Sequence, residues 1–251
     1  QSHEAARDFI SGLGTIFAGV MALAAVAAFW AMPWLARYVA PGFTPDALSE
    51  LVRLSRILLL SPLLLGSSTL VSSILQAHHR FFVYAASPIL YNAGIIVGIA
   101  WLYPVLGLSG LVWGVVLGAF LHLAIQIPSL IHLNYLPRIS FSVAWREVAD
   151  VLRLSLPRSV SLGLSQGVLL LFTAIASSIG TGSIAVFQLA NNLYSIPMSV
   201  IGLSYSVAAF PGFARSVVEG RHQEFSNGVV HVARHILFWS LPFVALFIVL
   251  R

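Results

Sequence analysis

SVSLGLSQGVLLLFTAIASSIGTGSIAVFQLANNLYSIPMSVIGLSYSVAAFPGFA, residues 159–214, runs for 56 positions without a charged side chain. One membrane crossing takes about 20 mostly apolar residues, so the run is long enough for two. GTGS at 180–183 divides it, because clustered glycine punctuates helices. The halves are spans e and f. Backbone that crosses lipid must satisfy its own hydrogen bonds, so both are expected as helices.

The same reading extends in both directions. Residues 9–36 are uncharged and give span a, and Ile57 to Ala77 gives span b, closed by His78, His79 and Arg80. Phe81 to Pro137 is also uncharged but too long for one crossing. YPVLGLSG (103–110) breaks it into span c (82–102) and span d (109–133). Span g starts near Val229 and is expected to be incomplete at the end of the sequence. The fold class is therefore an all-α polytopic membrane protein with seven spans, the last incomplete. Between spans d and e, LPRISFSVAWREVADVLRLSLPR (136–158) sets Val143, Val148, Val151, Leu152 and Leu154 among Arg146, Glu147, Asp150 and Arg153. That pattern predicts an amphipathic interfacial helix.

Composition agrees. The chain is 59% hydrophobic and 8% charged, against roughly 25% charged in soluble domains. All 13 basic residues are arginine. The net charge of +5 reads as an arginine excess on cytoplasmic loops rather than as a nucleic-acid surface. With alternating crossings, one side carries Arg7, Arg80, Arg138, Arg146, Arg153, Arg158, Arg215, Arg221 and Arg234, and the other Arg37, Arg53, Arg56 and Arg251. The richer side is expected in the cytoplasm, together with the amino end. The chain opens on QSHEAARDF, without a signal-peptide pattern, and closes apparently within a helix, so it reads as an internal fragment of a longer protein.

There is no cysteine, hence no disulfide, thiolate or iron–sulfur chemistry, and the redox compartment stays open. No P-loop, G-x-S-x-G or paired acids point to an enzyme, and no cofactor is implied. His78 and His79 are adjacent and diverge by about 100° on a helix. His231 and His235 have a ligand-like spacing but no third ligand nearby, so both pairs read as interfacial and no metal site is expected. All eight carboxylates (Glu4, Asp8, Asp46, Glu50, Glu147, Asp150, Glu219, Glu224) fall in loops or near span ends. The covered region therefore has no mid-membrane acid of the kind proton relays use.

The polarity within the spans is neutral. On span f, Gln188, Asn192, Ser195, Ser199 and Gly202 recur at three- and four-residue steps and share a face. On span e, Gln166, Thr173 and Ser177 form a similar stripe below Arg158. Such groups serve as glue between helices or line a polar path; for a single Ser or Thr both readings stay open. For Asn191 and Asn192 cavity lining is preferred, because two carboxamides on neighbouring faces exceed what one seam needs. Pro197 is expected to open the helix ladder just beyond them. Gly94-x-x-x-Gly98 and Gly114-x-x-x-Gly118 fit the small-xxx-small packing pattern. Prolines and glycines within the spans would permit the bending of a transporter or, equally, of a channel.

Four stretches together resemble one family: APGF (40–43), SSILQAHHRFFVYAASPILYNAGIIVG (72–98), LPRSVSLGLSQ (156–166) and AIASSIGTGSIAVFQLANNLYSIPMSVIGLSYSVAAFPGFAR (174–215). In order and over nearly the whole chain, they are similar to the MurJ (MviN) lipid II flippases of the multidrug/oligosaccharidyl-lipid/polysaccharide exporter superfamily. The resemblance implies a two-lobed transporter bundle in the inner membrane that moves a lipid-linked peptidoglycan precursor outward by alternating access. Residues 1–134 would be four helices of the amino-terminal lobe, 135–157 a cytoplasmic amphipathic linker, and 158–251 the start of the second lobe. It further implies substrate contacts from Asn191, Asn192, Gln188, Gln166 and Ser195, with Arg158 near a diphosphate. Its partners would be lipid-linked oligosaccharide, membrane lipid and cell-wall synthesis proteins, with no nucleic acid. The family pattern in span f reads Ala-Asp-Arg-Leu-Tyr-x-x-Pro. Here Ala190, Asn191, Asn192, Leu193, Tyr194 and Pro197 stand at those positions, so carboxamides replace both charges. The change leaves two alternatives: other arginines hold the diphosphate, or the substrate differs and the chain is a paralogue exporting another polyprenyl-linked glycan or an amphipathic drug. A separate reading is a non-transporting membrane scaffold.

Overall fold

The computed structural model describes residues 3–133, 135, 140 and 145–249. Arg138, Val143 and Arg251 lie outside the described residues, as do the side chains of Glu4, Arg7, Asp8, Glu147 and Pro211. Every regular element among the described residues is helical, and seven helical stretches are long and apolar enough to cross a membrane.

Span a is α1, His3–Val39. Pro33 sits inside it and has no N–H to offer the carbonyl of Phe29 four residues back. The next helix repairs this: Arg56 Nε donates to Phe29 O at 3.2 Å, and its guanidinium lies 4.4 Å from the Phe29 ring centroid. That next helix is α2, Pro45–Leu58, begun by Thr44, whose Oγ1 accepts from the Ala47 N–H at 3.4 Å. The stretch ahead of span b is therefore helical, and it continues through Leu59 into α3, Leu60–Ala77.

Span c comprises α4, Phe81–Val97, a π-helical turn over Gly98–Leu102, and α5, Tyr103–Leu106. The expected break is centred on Gly107, whose φ of +59° suits glycine. Span d follows as α6, Leu108–Ala124, and α7, Ile127–His132. Next comes α8, Trp145–Ile179, a single 35-residue helix that carries both the described part of the amphipathic segment and span e. Pro157 lies inside it. Span f is α9, Ser183–Pro197, a π-helical turn over Met198–Leu203, and α10, Ser204–Val218. The turn begins right after Pro197, where the ladder was expected to open. Span g is α11, His222–Val249, whose 28 residues are long and apolar enough to cross a membrane.

The chain falls into two compact units, residues 1–178 and 179–251. In the first, α4 and α6 pack antiparallel along the two glycine pairs. A Cβ placed on Gly98 would lie 2.5 Å from Gly114 Cα, and one on Gly94 would overlap the backbone of Gly118. Small-xxx-small spacing on two helices thus becomes one seam with backbones nearly touching. Beside it, Val71, Ile74, Leu75, Leu130 and Tyr135 form the apolar core. Arg53 Nη2 donates to Ser109 Oγ at 2.8 Å, and the Gly42 N–H to Ser177 Oγ at 3.3 Å. These contacts join segments that alternating crossings assign to one side.

Two helix ends use the same six-to-one closure. Arg221 N–H reaches Ser216 O at 2.8 Å over Gly220, and Arg80 N–H reaches Leu75 O at 2.8 Å over His79. The closure needs a left-handed residue. Gly220 takes φ +71° without strain, whereas His79 takes +56° with a Cβ in place.

Candidate functional site

Polar groups buried among apolar helices must find partners in one another. One such set ties α3, α4, α6 and the α6–α7 junction in the first unit. Ser68, Ser87 and Gln126 are fully buried and Ser72 nearly so. Gln126 Nε2 donates to Ser68 Oγ at 2.8 Å and to Ser87 Oγ at 3.1 Å, while its Oε1 accepts from Ser72 Oγ at 3.2 Å. Ser68 Oγ lies 2.6 Å from His122 Nδ1. Ser68 Oγ keeps a lone pair and its own proton beside the bond from Gln126, so either imidazole tautomer satisfies this contact. Ser87 passes its proton to Val83 O at 2.8 Å. Both donors and the oxygen of Gln126 are spent. Sequence reasoning missed this cluster, although Ser68/Ser72 and His122/Gln126 each repeat at four residues.

The residues expected to line a cavity behave differently. In the second unit, Gln188, Asn192 and Ser195 are exposed and Asn191 half-buried on α9. Among the described residues, no side-chain hydrogen bond engages the amides of Gln188, Asn191 or Asn192. Ser195 gives its proton to Asn192 O at 2.7 Å and Ser199 gives its own to Ser195 O at 2.7 Å, so the serines of this stripe are free to accept but not to donate. In the first unit, Gln166 and Arg158 are exposed on α8, likewise unengaged among the described residues. Below them the stripe becomes packing: Thr173 bonds Leu169 O at 2.8 Å, and Ser177, buried, bonds Ala174 O at 2.7 Å while accepting from Gly42. The candidates thus divide between the units, with Arg158 and Gln166 in one and Gln188, Asn191, Asn192 and Ser195 in the other.

His231 and His235 meet within α11, with ring centroids 4.3 Å apart. His235 Nδ1–H donates to His231 O at 2.9 Å, which leaves His235 only Nε2 to offer a ligand. Among the described residues no group of three or more His, Cys, Asp or Glu is placed to hold a metal. His79 departs from the expected helical geometry, since it occupies the left-handed turn between α3 and α4.

Seven crossing helices, knotted by neutral hydrogen bonds on one part and bare of them on another, define a polytopic α-helical membrane protein. The lipid II flippase MurJ family profile matches residues 1–251, and the chain belongs to that family. It is 29% identical over 247 residues to a probable lipid II flippase MurJ of Rhizobium tropici, covering 95% of this chain and 46% of the relative. It is 26% identical over 234 residues to the lipid II flippase MurJ of Burkholderia cenocepacia, covering 90% and 45%. A probable lipid II flippase MurJ of Bdellovibrio bacteriovorus is 32% identical over 158 residues. The chain spans about half the length of the curated relatives it matches.

Proposed function

We propose that this chain is part of a flippase that carries lipid II, the lipid-linked peptidoglycan precursor, from the inner to the outer leaflet of the cytoplasmic membrane. The carrying observation is the match along its whole length to the lipid II flippase MurJ family. In this reading the protein alternates access between two lobes. Residues 1–134 belong to the first lobe, 135–157 to a cytoplasmic linker and 158–251 to the second, and the amino end is cytoplasmic, as the arginine excess suggests.

Gln188, Asn191, Asn192 and Ser195 on α9 and Gln166 on α8 contact sugar or peptide amides, and Arg158 contacts the diphosphate. What supports these roles is that the guanidinium and the amides, exposed except for the half-buried Asn191, are unengaged among the described residues. An amide presents two donors and an acceptor to a passing polar headgroup, and a guanidinium matches phosphate oxygens two at a time. The protein is a transporter and acts without catalysis. Its partners are the lipid-linked oligosaccharide, surrounding lipid and the proteins of cell-wall synthesis.

The test is complementation of a strain depleted of its own lipid II flippase, using the full-length protein. Growth and restored lipid II translocation support the reading. Stable membrane insertion without rescue overturns it and points to a paralogous exporter or a scaffold.

A further inference from the structure

We propose that a cavity of the first unit is a seat for one acyl chain of a bilayer glycerophospholipid, whose phosphate is held by Arg80 at its mouth. The cavity, about 580 Å³, lies among α1, α3, α6 and α7, within the range of roughly 300–1,000 Å³ for ligand sites. Its floor is the buried core of Val71, Ile74 and Leu130, and the small, exposed Ala18, Ser73 and Ala77 also line it.

The lining selects an apolar guest. The hydroxyls of Thr15, Ser67 and Ser73 donate to the carbonyls of Ser11, Leu63 and Thr69 at 2.8, 2.8 and 3.0 Å. Thr15 Oγ1 also accepts from the Ser140 N–H at 3.1 Å. A polar guest would give up hydration for partners already engaged; a hydrocarbon chain loses nothing by entering. Length narrows the choice. The cavity follows α3 from Ser67 to Ala77, about 15 Å at 1.5 Å per residue. That is half of a hydrocarbon slab about 30 Å thick, the reach of an acyl chain from one leaflet; a polyprenyl chain would outrun it.

The mouth supplies charge. Ala77 leads directly into the turn His78–His79–Arg80. That turn is fixed: His78 Nδ1–H donates to Ile74 O at 2.8 Å, and its ring lies 4.6 Å from that of Tyr135. Arg80 at its end is exposed and without an ion-pair partner among the described residues, free to take a phosphate. None of this depends on the cargo the protein moves.

The test uses the full-length protein in nanodiscs of phosphatidylethanolamine and phosphatidylglycerol, doped with phosphatidylglycerol bearing a mid-chain diazirine. After irradiation, label should concentrate on peptides containing residues 10–18 and 67–77, about tenfold above those from the outer faces of α4 and α6. Filling the cavity with Ser73→Phe and Ala77→Phe together should remove that excess, and Arg80→Gln should lower it without unfolding the protein. Uniform labelling of all spans means annular lipid only and overturns the proposal. So does stronger labelling by a diazirine polyprenyl phosphate than by the phospholipid. The map on unaltered protein decides the matter even where the filled variant fails to fold.

Discussion

In the first unit the amide of Gln126 is enclosed and spends both donors and its oxygen on three serines. In the second, the amides of Gln188 and Asn192 stand exposed on α9 with no side-chain partner among the described residues. The residue types are nearly the same, and the span that holds α9 is the less apolar. What separates them is where the hydrogen bonds go. A spent amide fixes helices against one another; an unspent one costs free energy in lipid unless water or a ligand meets it. On the proposed function, polar residues in these spans sort into glue and lining by their partners, and only the lining should matter to transport directly.

The sharpest blow to the fixed region falls on its glycine seam. Gly98→Leu drives a side chain into the Gly114 backbone and should destabilise the protein by about 3 kcal/mol, read as loss of folded protein in detergent melts. Gln126→Leu should cost about 2 kcal/mol, since Ser68 loses a donor and Ser72 and Ser87 lose a partner in a dry site. Its transport per folded molecule should stay near the parental value. A gain is expected at His79→Gly, which relieves the left-handed strain between α3 and α4 by about 1 kcal/mol; an unchanged melt would contradict the strained turn.

The smallest effect lies in the second unit, outside its spans. Hydrogen bonding from Arg215, and then the charge of Arg221, holds Glu219 below the usual carboxylate range. A folded pKa below the unfolded one means stabilisation that is present above the unfolded value and lost as pH falls through the folded one. Melting curves should therefore show a slight loss on acidification below the ordinary carboxylate pKa, flattened in Glu219→Gln. The pair is exposed, so the change is small.

Much of the architecture was legible because charge is so sparse. Uncharged runs and the glycine and proline breaks at Gly107 and Gly180–Gly182 placed all seven crossings. Lengths were less legible: α8 runs unbroken through Pro157, since proline bends a helix without always ending it. The glycine seam was visible as two motifs but not as one contact, because which helices pair is a tertiary fact. Gln126 passed unseen among leucines and isoleucines, because one amide at a helix junction makes no stripe. His79 was read as helical, since nothing local to a histidine announces positive φ. Asn191 and Asn192 stood out because adjacent amides in an apolar run have few structural uses.

The most direct test of the division between lining and glue is lipid II translocation by full-length protein in reconstituted vesicles, carrying Asn192→Leu and normalised to folded protein. The account predicts an unchanged melting curve and translocation reduced by about tenfold or more, the loss of at least one ground- or transition-state hydrogen bond to cargo. Unchanged translocation with normal stability would show that the exposed amides of α9 face lipid rather than cargo.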